Sequence, residues 1–165
     1  MMNVGRILAI GGFVAAIALL VLPSGSSRAA PLSDSPSGRW IDANLTEPAR
    51  ITAYEGDQAV RSALVIIGTG AHRTPTGHYR ILRRVADETM DSATIGIPRN
   101  APGGYYLRHV LYTQYFTNDG ASLHYNYWSS NFGHPGSHGC LGMSLEDARW
   151  FWNWADIGTP IYIHY

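Results

Sequence analysis

Phe132-Gly133-His134-Pro135-Gly136-Ser137-His138-Gly139-Cys140-Leu141 carries the only cysteine of this 165-residue chain. Sixteen residues before the cysteine, His124 follows the short alternating run Ser122-Leu123. A lone thiol has no intrachain disulfide partner, so its position needs another reason. An ordinary thiol, with a pKa near ~8.5, is only slightly ionised at neutral pH. An imidazole within reach can take its proton and later return it to a leaving amine, which is what cysteine-nucleophile chemistry needs. In an extended segment the side chains of His138 and Cys140 share a face. Gly139 allows close backbone approach, and the N–H groups of Gly139 and Cys140 are candidates for an oxyanion hole. One cysteine among seven histidines is by itself a weak pattern, and a buried inert thiol explains it better.

The period changes after the cysteine. Ser144 with Asp147 three residues on reads as a helix start of the capping-box kind. Leu145, Ala148, Phe151, Trp152 and Ala155 fall on one helical face. Gly158 stops the helix, and Pro160 to His164 reads as a last strand. Upstream the pattern is β. Trp40 to Leu45 predicts a strand, and Arg50 to Tyr54 and Gln58 to Ile67 flank a turn at Glu55-Gly56-Asp57. Arg73 to Gly77 is a turn, and His78 to Arg83 predicts another strand. Residues 86–104 carry two prolines, three glycines and little periodicity. They read as a long loop of the kind that serves as an active-site lid. Tyr105 to Phe116 and Ser122 to Tyr127 complete the set of strands.

Composition narrows the partners. Acidic and basic residues balance at twelve each, and every basic residue is arginine. Without lysine there is no Schiff base and no P-loop lysine. A neutral chain without a basic run is a poor nucleic-acid binder. At the N-terminus, Arg6 precedes an uncharged run from Ile7 to Leu22, broken by Pro23. Residues 1–30 therefore read as a targeting segment, either a cleaved signal or a retained membrane tether through 7–22. Ser, Pro and Gly make residues 31–38 a linker, and the folded domain is expected over 39–165.

His124 and the string Phe132 to Leu141, followed by a helix and then Gly158-Thr159-Pro160-Ile161-Tyr162-Ile163, resemble the catalytic domain of L,D-transpeptidases, the YkuD-like family. Trp40-Ile41-Asp42, Gly68-Thr69-Gly70 and Thr74-Pro75-Thr76-Gly77 are similar to that family's opening strands and turns. The resemblance implies a mainly β fold of two packed sheets, sandwich-like, with one short helix after the cysteine loop. It also implies acyl transfer on peptidoglycan stem peptides, with no cofactor and no metal. By that analogy Cys140 is the nucleophile and His124 the general acid/base. The Tyr125 carbonyl orients His124, and Ser137, His138 and Gly139 shape the oxyanion loop. His134, Tyr127 and Trp128 are candidates for substrate binding.

Two positions depart from the family pattern. Tyr125 stands where glycine is usual, and Gly142 where arginine is common. Arg73, Arg99, Arg108 and Arg149 are the candidates to hold substrate carboxylates instead. Rival readings are hydrolysis by the same acyl-enzyme (an L,D-carboxypeptidase), a non-catalytic wall-binding module, and a metal site from His124, His134, His138 and Cys140. The metal reading lacks the usual paired-ligand spacing.

Overall fold

The computed structural model describes residues 38–165. The targeting segment and the linker up to residue 37 lie outside the described residues. In chain order the strands are β1 (Arg39–Asn44), β2 (Arg50–Glu55), β3 (Gln58–Leu64), β4 (Ile67–Gly68), β5 (Gly77–Arg80), β6 (Arg83–Asp91), β7 (Tyr106–Tyr115), β8 (Ser122–Tyr125), β9 (Pro135–Ser137), β10 (Leu141–Met143) and β11 (Pro160–His164). The helix α1 (Leu145–Trp154) lies between β10 and β11. A 3-10 turn, Ser92–Ile95, follows β6.

Alternation builds the first sheet. Ile41 and Ala43 of β1 and Ile51 and Ala53 of β2 are fully buried, while their neighbours face outward. The expected hairpin forms, with Gly56 at φ +58° between β2 and β3. The sheet runs β3-β2-β1-β11-β5, and β11 lies parallel to β1. A second sheet runs β10-β8-β7-β6, and β4 pairs with β9 in a small third one. The mainly β expectation holds, with this extra two-stranded sheet added to the main two. Side chains from both larger sheets and α1 share one core, which includes Ile41, Ile51, Leu123, Leu141, Phe151 and Ile161. Removing a ring such as that of Phe151, fully buried, costs about 3–5 kcal/mol in sites of this kind.

Two local expectations are corrected. Residues 86–91 are not loop but the second half of β6, hydrogen-bonded to β7. Most of β6 is exposed or half-exposed, so its side chains carry no apolar alternation for sequence reading to detect. The helix also rolls differently from its predicted face. Ala148, Phe151 and Trp154 point inward, while Leu145 is 37% exposed. Trp154 replaces Trp152 because its Nε1–H donates to Glu55 Oε1 at 3.0 Å, tying the last turn to β2. Trp152 instead lies under the Arg84 guanidinium, 4.0 Å from its ring centroid. At the other end Ser144 Oγ accepts from the Asp147 N–H at 3.1 Å, as the sequence predicts. Arg61 of β3 clamps that first turn through Asp147 and Glu146.

Candidate active site

The strand register brings the thiol and the imidazole together. β10 runs parallel to β8 with Leu141 opposite Leu123, Gly142 opposite His124 and Met143 opposite Tyr125. Cys140, one residue before Leu141, therefore arrives level with Ser122, and its sulfur lies 3.5 Å from Ser122 Oγ. Ser122 and His124 are two apart on one strand, so they share a face. His124 is 2% exposed. Its Nδ1–H donates to the backbone carbonyl of Tyr125 at 2.9 Å. A carbonyl only accepts, so this bond places the proton on Nδ1 and leaves Nε2 as the basic nitrogen. Trp128 stacks on the His124 ring with centroids 5.5 Å apart, fixing its plane.

The thiol titrates below its ordinary range. Burial pushes its pKa up, but hydrogen bonding and charge interaction with His124, together with hydrogen bonds from Ser122, outweigh that and lower it. The sulfur also lies 3.7 Å from the Gly120 carbonyl.

The loop that carries Cys140 is tied from within and from behind. Ser137 Oγ donates to the Cys140 carbonyl at 2.7 Å and accepts from the Gly139 N–H at 3.2 Å. The Gly139 amide is thus committed to Ser137, a difference from the expectation that it faces the cleft. Gly139 sits at φ +107°, a region that favours glycine. Behind it, the Thr69 N–H bonds to the Ser137 carbonyl at 3.1 Å, and the Gly68 N–H to Thr74 Oγ1 at 2.9 Å. A Cβ on Gly68 would come within 2.2 Å of the His72 carbonyl oxygen, so the turn closes this tightly only over glycine.

Two cavities meet at Cys140. One, of about 270 Å³, is lined by His124, Trp128, His138, Tyr105 and Gly103 among others. The second, of about 450 Å³, lies toward His72, Arg73 and Asp119 and shares Tyr105, His138 and Cys140 with the first. The segment from Ser92 to Tyr105 walls both. Its ends are pinned to each other: the Ser92 N–H donates to the Tyr105 carbonyl at 3.0 Å, and the Tyr105 N–H to Ser92 Oγ at 2.9 Å. Burial, with His72 at a ring distance of 5.1 Å, lowers the pKa of His138, and a bond to the Gly103 backbone partly offsets this.

The other candidate residues distribute as follows. Tyr127 faces a neighbouring groove rather than the two cavities at Cys140, and its hydroxyl donates to the Arg108 carbonyl at 2.9 Å. His134 pairs with Glu47 at 2.8 Å and lines neither cavity. Tyr125 contributes its carbonyl to His124, while the residue lines the same groove as Tyr127. Of the four arginines considered, only Arg73 lines a cavity with Cys140. Arg99 is paired with Asp91, Arg149 with the Tyr112 hydroxyl, and Arg108 lies near the Tyr106 ring. Among the described residues no three His, Cys, Asp or Glu side chains converge as a metal site. Sequence reading missed Ser122 and Tyr105. Ser122 was findable from the two-residue spacing to His124; Tyr105 comes from a distant segment and carried no local signal.

The L,D-transpeptidase catalytic domain (YkuD) family matches residues 38–163. The chain belongs to that family. Among curated relatives, it is 37% identical over 103 residues to a probable L,D-transpeptidase 3 of Mycobacterium tuberculosis, covering 59% of this chain and 36% of that one. Among solved structures, an L,D-transpeptidase from Mycobacterium smegmatis superposes with a TM-score of 0.72 at 28% identity, covering 78% of this chain and 60% of the other. The L,D-transpeptidase 3 of Mycobacterium tuberculosis in complex with a faropenem-derived adduct gives a TM-score of 0.69 at 27% identity, covering 78% and 61%. The chain spans 36% of the length of the curated relative and about three fifths of these solved chains.

The family's common arginine position has a local explanation here. A Cβ at Gly142 would come within 2.8 Å of Asn126 Nδ2 and 3.0 Å of Asn126 Cβ. Asn126 is 3% exposed and occupies the space a side chain at 142 would need.

Proposed function

We propose that this chain is a cysteine-dependent L,D-transpeptidase acting on peptidoglycan stem peptides outside the cytoplasm. The observation that carries the reading is the thiol of Cys140 beside an imidazole whose tautomer is set by the Tyr125 carbonyl. The thiol proton passes to His124 Nε2, and the thiolate attacks the carbonyl carbon of the stem's third residue. The negative charge on that oxygen is met by the Cys140 N–H, since the Gly139 N–H is held by Ser137. Collapse breaks the C–N bond to the terminal D-alanine, whose amine leaves with the proton from His124. A thioester remains on Cys140. An acceptor amine then attacks it, gives its proton to His124, and the thiolate departs to be reprotonated.

Transfer is favoured over hydrolysis by the two cavities, about 270 and 450 Å³, that both include Cys140 in their lining and otherwise draw on different residues apart from Tyr105 and His138. They offer separate room for an acyl donor and an amine acceptor. Arg73, in the larger one, is the arginine placed to meet a substrate carboxylate. Residues 1–30 act as signal or membrane tether, delivering the domain to the cell envelope.

The test is an incubation of the protein with a carbapenem, followed by intact-mass measurement, with Cys140→Ala alongside. A stoichiometric adduct on the wild type alone supports the reading, and tetrapeptide stems with an amine acceptor then separate transfer from hydrolysis. No adduct on folded protein overturns it in favour of a wall-binding module.

A further inference from the structure

A third cavity shares Trp128 with the smaller cavity at the thiol but does not include Cys140. It is an open groove of about 440 Å³, within the range of small-molecule sites. Four aromatic residues line it: Tyr125, Tyr127, Trp128 and Phe132. Tyr127 and Trp128 are 46% and 40% exposed and stand side by side, so their faces form one continuous apolar surface. They are also fixed. The rings meet edge to face with centroids 4.9 Å apart, and the Tyr127 hydroxyl is tethered to the Arg108 carbonyl. Rigid, solvent-facing rings offer apolar faces at little entropic cost.

The polar groups of the groove are all uncharged. Ser130 is exposed at its edge, and Asn126, 3% exposed, belongs to its floor. Asn126 Oδ1 has no hydrogen-bond partner among the described residues. The groove's serine hydroxyls, among them that of exposed Ser130, can donate to or accept from a neutral ligand. No Asp, Glu, Lys, Arg or His lines the groove. A stem peptide, with its carboxylates and amines, finds no complement there. A neutral ligand with apolar C–H faces and many hydroxyls does.

Trp128 belongs both to this groove and to the cavity at Cys140. From the His124 ring to Trp128 and on to Tyr127 the successive centroid distances are 5.5 and 4.9 Å. Three extended residues span at most about 10–11 Å, so a stem acylating Cys140 through its third residue has the length to carry its sugar-linked end from the thiol as far as this groove.

We infer that the groove of Tyr125, Tyr127, Trp128 and Phe132 is a glycan subsite that stacks an N-acetylated hexosamine of the strand bearing the donor stem. This deepens the proposed function and rests on it for the identity of the donor.

The test uses the full chain and a β-1,4-linked N-acetylglucosamine tetramer as probe, followed by tryptophan fluorescence and by NMR of the aromatic side chains. Saturable binding with shifts at Tyr127 and Trp128 is expected. Tyr127→Leu, which keeps apolar bulk but removes the ring face, weakens binding at least tenfold. Tyr127→Phe, which keeps the face and loses only the tether, stays within about threefold. Disaccharide-tetrapeptide has a lower KM than the bare tetrapeptide, and Tyr127→Leu erases that difference. Absence of tetramer binding by the wild type, or binding that Tyr127→Leu leaves intact, overturns the proposal. Carbapenem acylation of Cys140 is scored on the same samples: normal acylation without sugar binding sinks the subsite alone, and sugar binding without acylation sinks the enzyme reading alone.

Discussion

The Cys140 sulfur lies 3.5 Å from the Ser122 hydroxyl. The contact follows from the parallel register of β8 and β10, which sets residue 140 level with residue 122. It places a hydroxyl donor beside the thiolate in addition to His124. Together they overcome the burial that on its own raises a thiol's pKa.

Ser122→Ala is therefore expected to raise the pKa of Cys140. The folded thiol titrates below the ordinary thiol value, so at a given pH below that it is more ionised than a free cysteine. The rate of alkylation by iodoacetamide, followed by mass against pH, should rise through a midpoint below that of a free cysteine in the wild type and through a higher one in the variant. Coincident midpoints would show that Ser122 contributes nothing to the thiolate.

Cys140→Ala should abolish carbapenem addition while preserving the thermal transition. His124→Ala should slow addition by about 10²–10⁴-fold, the usual loss on removing a positioned acid/base. An acylation rate for His124→Ala within threefold of the wild type would remove His124 from the mechanism.

Gly142→Asn drives a side chain into the space held by Asn126, at 2.8 Å from its Nδ2. Overpacking of this sort costs about 1–3 kcal/mol. Asn126→Gly in the same chain should recover most of that loss. Chemical denaturation of the two single variants and the double variant measures the coupling. Additive losses would mean that the two positions do not share one space.

Gly104→Ala should disturb the wall of the cleft more than the core. Its Cβ would fall 2.3 Å from the Pro98 carbonyl oxygen, forcing the Ser92–Tyr105 segment to shift. The expected result is at least a tenfold fall in acylation rate with a change of only a few degrees in Tm. Wild-type acylation kinetics would show that this segment does not shape the donor cavity.

Much of the fold was legible because its signals are local. Alternation at Ile41, Ala43, Ile51 and Ala53 marks strands buried on one face. The turn at Gly56 and the cap at Ser144 are stretches whose hydrogen bonds close within a few residues. β6 was missed for the complementary reason. Its order comes from pairing with β7, and its side chains, mostly turned to solvent, keep no record of it. The inward turn of Trp154 over Trp152 is likewise set by Glu55, about a hundred residues away in the chain.

The sequence by itself determined the chemical inventory: one thiol, His124 sixteen residues before it, a glycine between His138 and Cys140, and a mainly β pattern with motifs that one family's model matches. Only the tertiary structure decided where those groups stand. It set β10 beside β8, joined two cavities at Cys140 and turned Tyr127 into a groove of its own. The reason is physical. Periodicity reports which face of one element is buried, whereas register between elements is fixed by the packing and loop closure of segments far apart in the chain.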